Sequence, residues 1–460
     1  MTWVGAANAL RLLVGVRLWE EIVGMEIQSS RVRLRKWKLL NVGVVVIMAP
    51  LALAGQSWAQ SPGPDKAPWL KSLSDIGIDV RGLYAVGGFA TVTGGAEEGK
   101  LGIGSLMITH VDFDLGKIIG WSGTKIKTEF TMYPINYPKD GEYFSQYAGS
   151  FLGGEQYPTH DADFQPWLSQ LTLEHDFGNG LKLEFGKTTM QRYFFPNVCG
   201  MDILCPDPII KWDSQLPPPD AGTLGFVASY EARDDLTFRF GAQQLRDIDA
   251  LFADHGWNAF STTGHTGIFY IGGVRYQNNV NPVDLELAGW YADTPLVDAY
   301  TGEAHTGTAG LQLKWSKTIW SEEDGGRPEG LAVFGALGDS FDETRPIDWS
   351  ATLGLRWENP YESPSGEWGI SQISAKAIYA RIGESTLLAQ REQRVASGGQ
   401  RVLGNPNQWR LSLDMITTVG KHVFVQSSLQ YVINPDSSQS RTSELPKDGI
   451  IAGTMINYVF

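Results

Sequence analysis

The sequence predicts an all-β protein: a transmembrane antiparallel β-barrel of 16 strands, with short periplasmic turns and long extracellular loops. Three observations carry this. The chain ends on GIIAGTMINYVF, in which Phe460, Tyr458, Ile456, Thr454, Ala452 and Ile450 share one strand face. Val459, Asn457, Met455, Gly453 and Ile451 share the other. Period-two segments of this kind recur along the chain after residue 76, and the connections between them mostly alternate between short and long. A strand in lipid shows one face to hydrocarbon and the other to a polar interior, which is the pattern of the last strand. An ordinary C-terminal edge strand would also fit those twelve residues, so the recurrence matters as much as the ending.

Composition agrees. The chain has 460 residues, is 42% hydrophobic and is rich in Gly (53), Trp (16) and Tyr (16). After residue 60 no run approaches the roughly 18 apolar residues of a membrane helix. Plentiful glycine and aromatics with little helical periodicity point to strands. The formal net charge of −14 argues against nucleic acid as a partner, because nothing would neutralise its phosphates.

Residues 1–59 read as an N-terminal extension plus a signal peptide that is removed. Arg31, Arg33, Arg35, Lys36 and Lys38 form a basic region, Leu39 to Leu53 an apolar core, and Ser57-Trp58-Ala59 a small-x-small cleavage site. The apolar run is short for a membrane anchor, the competing reading. Met25 is an alternative start to Met1. The leader carries seven Lys/Arg and three Asp/Glu, or +4, which leaves −18 on the rest. Residues 60–76 are expected to form a short periplasmic segment, with a helix around Trp69 to Leu73. Residues 77–460 form the barrel.

Sixteen strands are expected at 77–93, 103–115, 124–133, 166–176, 181–189, 222–231, 235–246, 266–276, 283–292, 306–319, 329–340, 347–358, 369–382, 407–417, 421–432 and 449–460. The alternation is cleanest in the twelfth, where Trp349, Ala351, Leu353, Leu355 and Trp357 interleave with Ser350, Thr352, Gly354 and Arg356. Connections after the second, fourth, sixth, eighth and fourteenth strands are short. Those at 134–165, 190–221, 247–265, 383–406 and 433–448 are long, and Asp247 to Asp254 within one of them reads as a helical turn or two. A barrel with both termini in the periplasm sorts its loops this way. Three connections blur the rule: 320–328 and 359–368 are long for turns, and 341–346 is short for a loop. Trp315, Trp349, Trp357, Trp409, Tyr431 and Tyr458 sit near the ends of apolar faces, as interfacial belts require.

No GxSxG, HExxH or P-loop occurs, and the seven His are scattered. His110 and His175 fall at strand ends with no Ser in an evident motif. No catalytic residue, cofactor or metal site is expected. Cys199 and Cys205 suit a small disulfide-closed loop in an exported chain, with two free thiols the alternative.

The polar faces carry the candidate site. Asp79, Arg81, Lys125, Lys127, Glu129, Glu174, Lys182, Glu184, Arg239, Arg275, Glu286, Arg356, Lys376, Arg410 and Asp414 fall on them, with both signs interspersed. A water-filled lumen tolerates such residues, and charges opposed across a constriction select polar solutes. Sugars fit that wall, since their hydroxyls accept from Arg and donate to carboxylates. Most of these residues are expected to be solvated or paired wall residues. Segment 190–221 is the best constriction candidate, with Arg192, Tyr193, Lys211, Trp212 and Asp213 and a Pro217-Pro218-Pro219 run that stiffens one end. It folds into the pore or lies over it as an external lid. The constriction candidates are therefore Arg81, Lys125, Lys127, Glu129, Arg192, Tyr193, Lys211, Trp212, Asp213, Arg239, Arg275 and Arg410.

GIDVRGLYAVGGFATVTGG at 77–95, DFDLGKIIGWSGTKIKTEF at 112–130 and VQSSLQYVINP at 425–435, with the terminal Phe460, resemble the OprB-type carbohydrate-selective porins. The resemblance implies a sixteen-stranded outer-membrane barrel that passes glucose and other small sugars by diffusion. It also implies a constriction lined by Arg and acidic residues, for which Arg81 and Glu129 lie in matching early strands. Tyr458 and Phe460 resemble the sorting signal read by the outer-membrane assembly machinery. Small sugars, outer-membrane lipid and lipopolysaccharide are the other partners implied. A homotrimer is allowed, since trimers are common among sixteen-stranded porins. A general diffusion porin without sugar preference and a secreted β-rich binding protein are the alternatives.

Overall fold

The computed structural model describes residues 68–137, 144–152, 163–194, 208–217, 221–253, 255–278, 282–322, 329–436 and 443–460. The leader and both cysteines lie outside them. Sixteen strands form one sheet: β1 Ile78–Gly95, β2 Leu101–Asp114, β3 Thr124–Tyr133, β4 Asp163–Asp176, β5 Leu181–Thr188, β6 Thr223–Arg233, β7 Leu236–Arg246 and β8 His265–Asn278 make the first half. The second half is β9 Val283–Val297, β10 Ala304–Glu322, β11 Glu329–Ser340, β12 Ile347–Glu362, β13 Trp368–Ile382, β14 Asn407–Val419, β15 Val423–Ile433 and β16 Lys447–Val459. A two-residue segment, Asn136–Tyr137, also pairs with β2. Each strand is antiparallel to its sequence neighbours, and β1 pairs with β16 from Leu83↔Val459 to Gly95↔Lys447, so the sheet closes without an edge.

All sixteen expected strands are present. The three irregular connections have a simple cause. β10 runs on to Glu322 and β12 to Glu362, so the start of each long turn is strand and the second shrinks to 363–367. Loop 341–346 is held by Asp342, which accepts from the Thr344 N–H at 3.0 Å and its hydroxyl at 2.7 Å.

The barrel is inside-out relative to a water-soluble sheet. On β14, Trp409, Leu411, Leu413 and Met415 point outward, while Gln408, Arg410, Ser412 and Asp414 point inward. Leu413 is 54% exposed and its neighbour Asp414 only 6%. Trp349, Trp357 and Tyr431 also point outward and are exposed. Rings pack in tilted and edge-on contacts along the outer face at the long-loop end: Trp349 and Tyr379 lie 4.5 Å apart and Tyr379 and Trp409 4.8 Å apart. Tyr361 and Trp368, 5.0 Å apart, mark the other end. At the closing seam, a Cβ on Gly453 would sit 2.0 Å from the Phe89 ring, so only glycine admits that inward side chain.

Helices α1 Pro68–Asp75, α2 Leu115–Ile119, α3 Phe144–Ala148, α4 Gln191–Phe194, α5 Pro208–Trp212, α6 Ile248–Phe252 and α7 Glu384–Ala396 decorate the ring. The helices expected near Trp69 and Asp247 are α1 and α6. Among the described residues no helix is long and apolar enough to cross a membrane. The 247–264 connection straps the rim of β4, where the His255 carbonyl accepts from Leu168 N–H at 3.0 Å and Trp257 Nε1 donates to the Pro166 carbonyl at 2.9 Å.

One expectation needs correcting. The inner wall is not polar throughout. Phe269, Ile271, Trp290, Phe334 and Ile378 point inward and form an apolar cluster with Phe151, Met190, Phe194, Ile209 and Ile210. Loop side chains, not water, cover that sector.

Candidate functional site

Many of the inward charges meet an opposite charge. Lys127 bridges Glu174 and Glu184, the latter at 3.1 Å. Arg275 donates to Asp284, at 2.8 Å from Nε. Arg239 and Lys314 pair with Glu286 at 3.1 and 3.0 Å. Arg356 meets Glu358 at 2.8 Å, and Lys376 meets Asp414 at 2.9 Å. Arg81 meets Asp112 at 2.9 Å and stays 47% exposed. The strands impose these meetings. Lys127 faces Thr172 in register and Glu174 faces Glu184, so alternate residues on neighbouring strands share the inner face.

Segment 189–194 enters this space. Gly241 on the β7 wall lets it approach, since a Cβ there would lie 2.4 Å from Met190 Sδ and 3.0 Å from Phe194 Cε2. Gln243 accepts from Met190 N–H at 2.7 Å. From α4, Arg192 reaches Glu129 on β3 through both guanidinium nitrogens. The Tyr193 hydroxyl donates to Glu184 on β5 at 2.6 Å. His110 joins the Glu129 carboxylate at 3.3 Å.

Helix α5 docks against β11 and β12. Gly338 leaves room for Ile209, at 3.1 Å from a would-be Cβ. Trp212 Nε1 donates to the Phe151 carbonyl at 3.0 Å, with the two rings edge-on at 5.1 Å. Arg345 donates to the Trp212 carbonyl at 3.0 Å. Asp213 is fully buried beside it. Arg410 donates to the Leu152 carbonyl at 2.8 Å. Gln191 donates to the Pro217 carbonyl at 3.0 Å, which ties the start of the proline run to α4.

The predicted residues thus fall into three groups. Glu129, Arg192, Tyr193 and Arg239 gather around α4. Trp212, Asp213 and Arg410 gather around α5 and 151–152. Arg81, Lys127 and Arg275 line the wall, and Lys125 is an exposed wall residue nearer the strand end. The side chain of Lys211, like Cys199, Cys205, Pro218 and Pro219, lies outside the described ones. His110 faces inward. His175 is on the outer face, against Phe177 at 4.5 Å, and its Nδ1 hydrogen-bonds the Thr124 hydroxyl at 2.7 Å. The two histidines therefore belong to opposite sides of the wall.

A barrel of this build has known counterparts. The family model described as carbohydrate-selective porin, OprB family, matches residues 104–460. The chain belongs to the OprB family. The high-pH structure of Pseudomonas putida OprB is similar over 85% of this chain and 96% of that one, at 16% identity and a TM-score of 0.70. The low-pH structure of the same protein covers 89% of this chain and 100% of that one, at 13% identity and a TM-score of 0.49. The outer membrane channel DcaP of Acinetobacter baumannii covers 86% and 100%, at 9% identity and 0.47. No curated protein matches the sequence. Family and fold are those of porins, which are not enzymes.

Among the lumen charges of this OprB-family barrel, the sequence reading places Glu184, Glu286, Lys376 and Asp414 on polar faces without making them constriction candidates, and it passes over Lys314. Glu184, Glu286, Lys314, Lys376 and Asp414 are all buried partners in the inner-face pairs. Their signal was available. Gln312 and Lys314 alternate with Leu311, Leu313 and Trp315 on β10, the same rule that picked out Arg239.

Proposed function

We propose that the lumen passes small neutral sugars such as glucose through the outer membrane by passive or facilitated diffusion, with α4 as the constriction. The observation that carries this is the pairing of the wall charges. A wall of unpaired cations would concentrate anions, and one of carboxylates would concentrate cations. Matched pairs cancel at a distance yet still present donors and acceptors at contact range. That combination suits a solute with many hydroxyls and no charge. Arg81, Lys125, Lys127, Glu129, Arg192, Tyr193, Arg239 and Arg275 serve as its hydrogen-bonding wall, and Lys211, Trp212, Asp213 and Arg410 belong to the loop side of the passage.

The same reading gives the rest of the chain its roles. Residues 1–59 are removed on export, 60–76 stay in the periplasm and 77–460 form the barrel. The outer-face aromatics meet outer-membrane lipid and lipopolysaccharide, and Tyr458 and Phe460 engage the assembly machinery. The assembled form is a homotrimer, and the protein catalyses no reaction. Liposome swelling tests the central part. Proteoliposomes are expected to swell in glucose faster than in a charged solute of equal size. Equal rates for both would indicate a general diffusion porin, and no swelling would end the proposal.

A further inference from the structure

We propose that Glu286 is a positioning residue that sets the channel's sugar discrimination by clamping α4 through Arg239 and Lys314. This rests on the reading of α4 as the constriction.

Helix α4 has four residues. Isolated helices shorter than about 12 residues are marginal in water, so its position must be imposed from outside. Two walls impose it. On one side its side chains reach Glu129 of β3 and Glu184 of β5. On the other side its last carbonyls are taken up. Arg239 of β7 donates to the Tyr193 carbonyl, and Lys314 of β10 donates to the Phe194 carbonyl. These are C-terminal carbonyls that have no partner within the helix. In a ring of sixteen, β3 and β10 stand nearly opposite each other. The helix is therefore tied to the wall at points from β3 through β5 and β7 to β10.

The two cations on the second wall need a common counter-charge to sit together. Glu286 supplies it from β9, between them, with Oε1 3.1 Å from Arg239 and Oε2 3.0 Å from Lys314. Lys314 is its register partner. Its other register partner, Arg275, is already held by Asp284. Glu286 is 5% exposed. It acts without touching the solute. Neutralised, it would withdraw the carboxylate that both cations share, and both carbonyl contacts would loosen.

Single-channel recording in planar bilayers tests this with three variants. Glu286→Gln keeps shape and removes the charge. Glu286→Asp keeps the charge on a shorter arm. The double variant Glu286→Gln/Lys314→Gln removes one charge of each sign, so the wall keeps its net charge without the clamp. For both Gln variants, noisier open-channel current and a several-fold weaker glucose block are expected, with partial recovery in Glu286→Asp. Ion selectivity should shift towards anions in Glu286→Gln and stay near wild type in the double variant. Each variant is first shown to form a folded, heat-modifiable barrel; if Glu286→Gln does not fold, the double variant and Glu286→Asp carry the test. Wild-type noise and glucose block in the double variant would overturn the clamp. Loss of folded yield with normal channels in the folded fraction would overturn it too. Absence of glucose block in the wild type would instead remove the constriction reading beneath it.

Discussion

Arg192 on α4 and Glu129 on β3 meet in a two-armed pair, with Nη1 donating to Oε2 and Nη2 to Oε1. The planar fork of arginine matches a carboxylate in this geometry, and such pairs are among the strongest side-chain contacts. It joins the loop that enters the lumen to the wall it faces. Glu129→Gln is expected to remove the carboxylate charge from this pair, at a cost of about 1.5–3 kcal/mol for the lost charged hydrogen bonds. The reversal potential in a salt gradient should then move towards anion selectivity. An unchanged reversal potential would show that Arg192 does not face the conducting path.

Trp212 holds α5 to segment 151–152 through its indole N–H and an edge-on ring contact. Truncating a packed Trp to Ala typically costs about 3–5 kcal/mol. Trp212→Ala should undock α5 while the ring of strands persists, so conductance should rise and proteolysis within 190–221 should quicken. Wild-type conductance and wild-type cleavage together would deny α5 a role in narrowing the channel.

Phe460 packs against the Ile416, Phe424 and Val459 cluster, as do Leu83 and Tyr84 of β1. Deleting it removes a contact at the closing seam as well as the terminal aromatic. Reduced levels of heat-modifiable barrel in the outer membrane are expected; unchanged levels would separate the terminal aromatic from assembly.

Acid should loosen one turn at the long-loop end. The Thr301 backbone N–H, 2.6 Å from the Asp298 carboxylate, is the main influence holding its pKa down at about 2. An unfolded Asp titrates near about 3.9. A depressed pKa contributes stability above the unfolded value and loses it as pH falls through the folded one. Pepsin cleavage within 298–303 should therefore increase as pH drops from about 4 towards 2. Asp298→Ala should be cut readily across that whole range, and equal cleavage of the two proteins at its upper end would contradict the assignment.

Much of this architecture was legible in the sequence because one rule governs every strand. On β12 and β14 the alternation of Leu and Trp with Ser, Thr and Arg fixes face, register and strand identity together. The rule weakens on β8, where inward Phe269 and Ile271 alternate with outward Tyr270. There both faces are apolar, since Phe194 and Met190 replace solvent against the inner wall, and no local pattern announces a covering loop. Strand ends were also underestimated. β10 and β12 continue past Ile319 and Glu358 through bulges, which interrupt the period. The candidate site was legible as types, not as partners. Glu129 and Arg192 were both marked, but their pairing depends on a loop that returns across the lumen. Glu286 and Lys314 lie far apart in sequence from Phe194, and only closure of the barrel brings them together.

The most direct test of sugar-selective passage through a paired-charge lumen is the ion current through single channels as glucose is titrated in. A site that binds sugar in the conducting path predicts a current that falls along a saturating curve. A fall that only tracks solution viscosity, with no saturation, would contradict it.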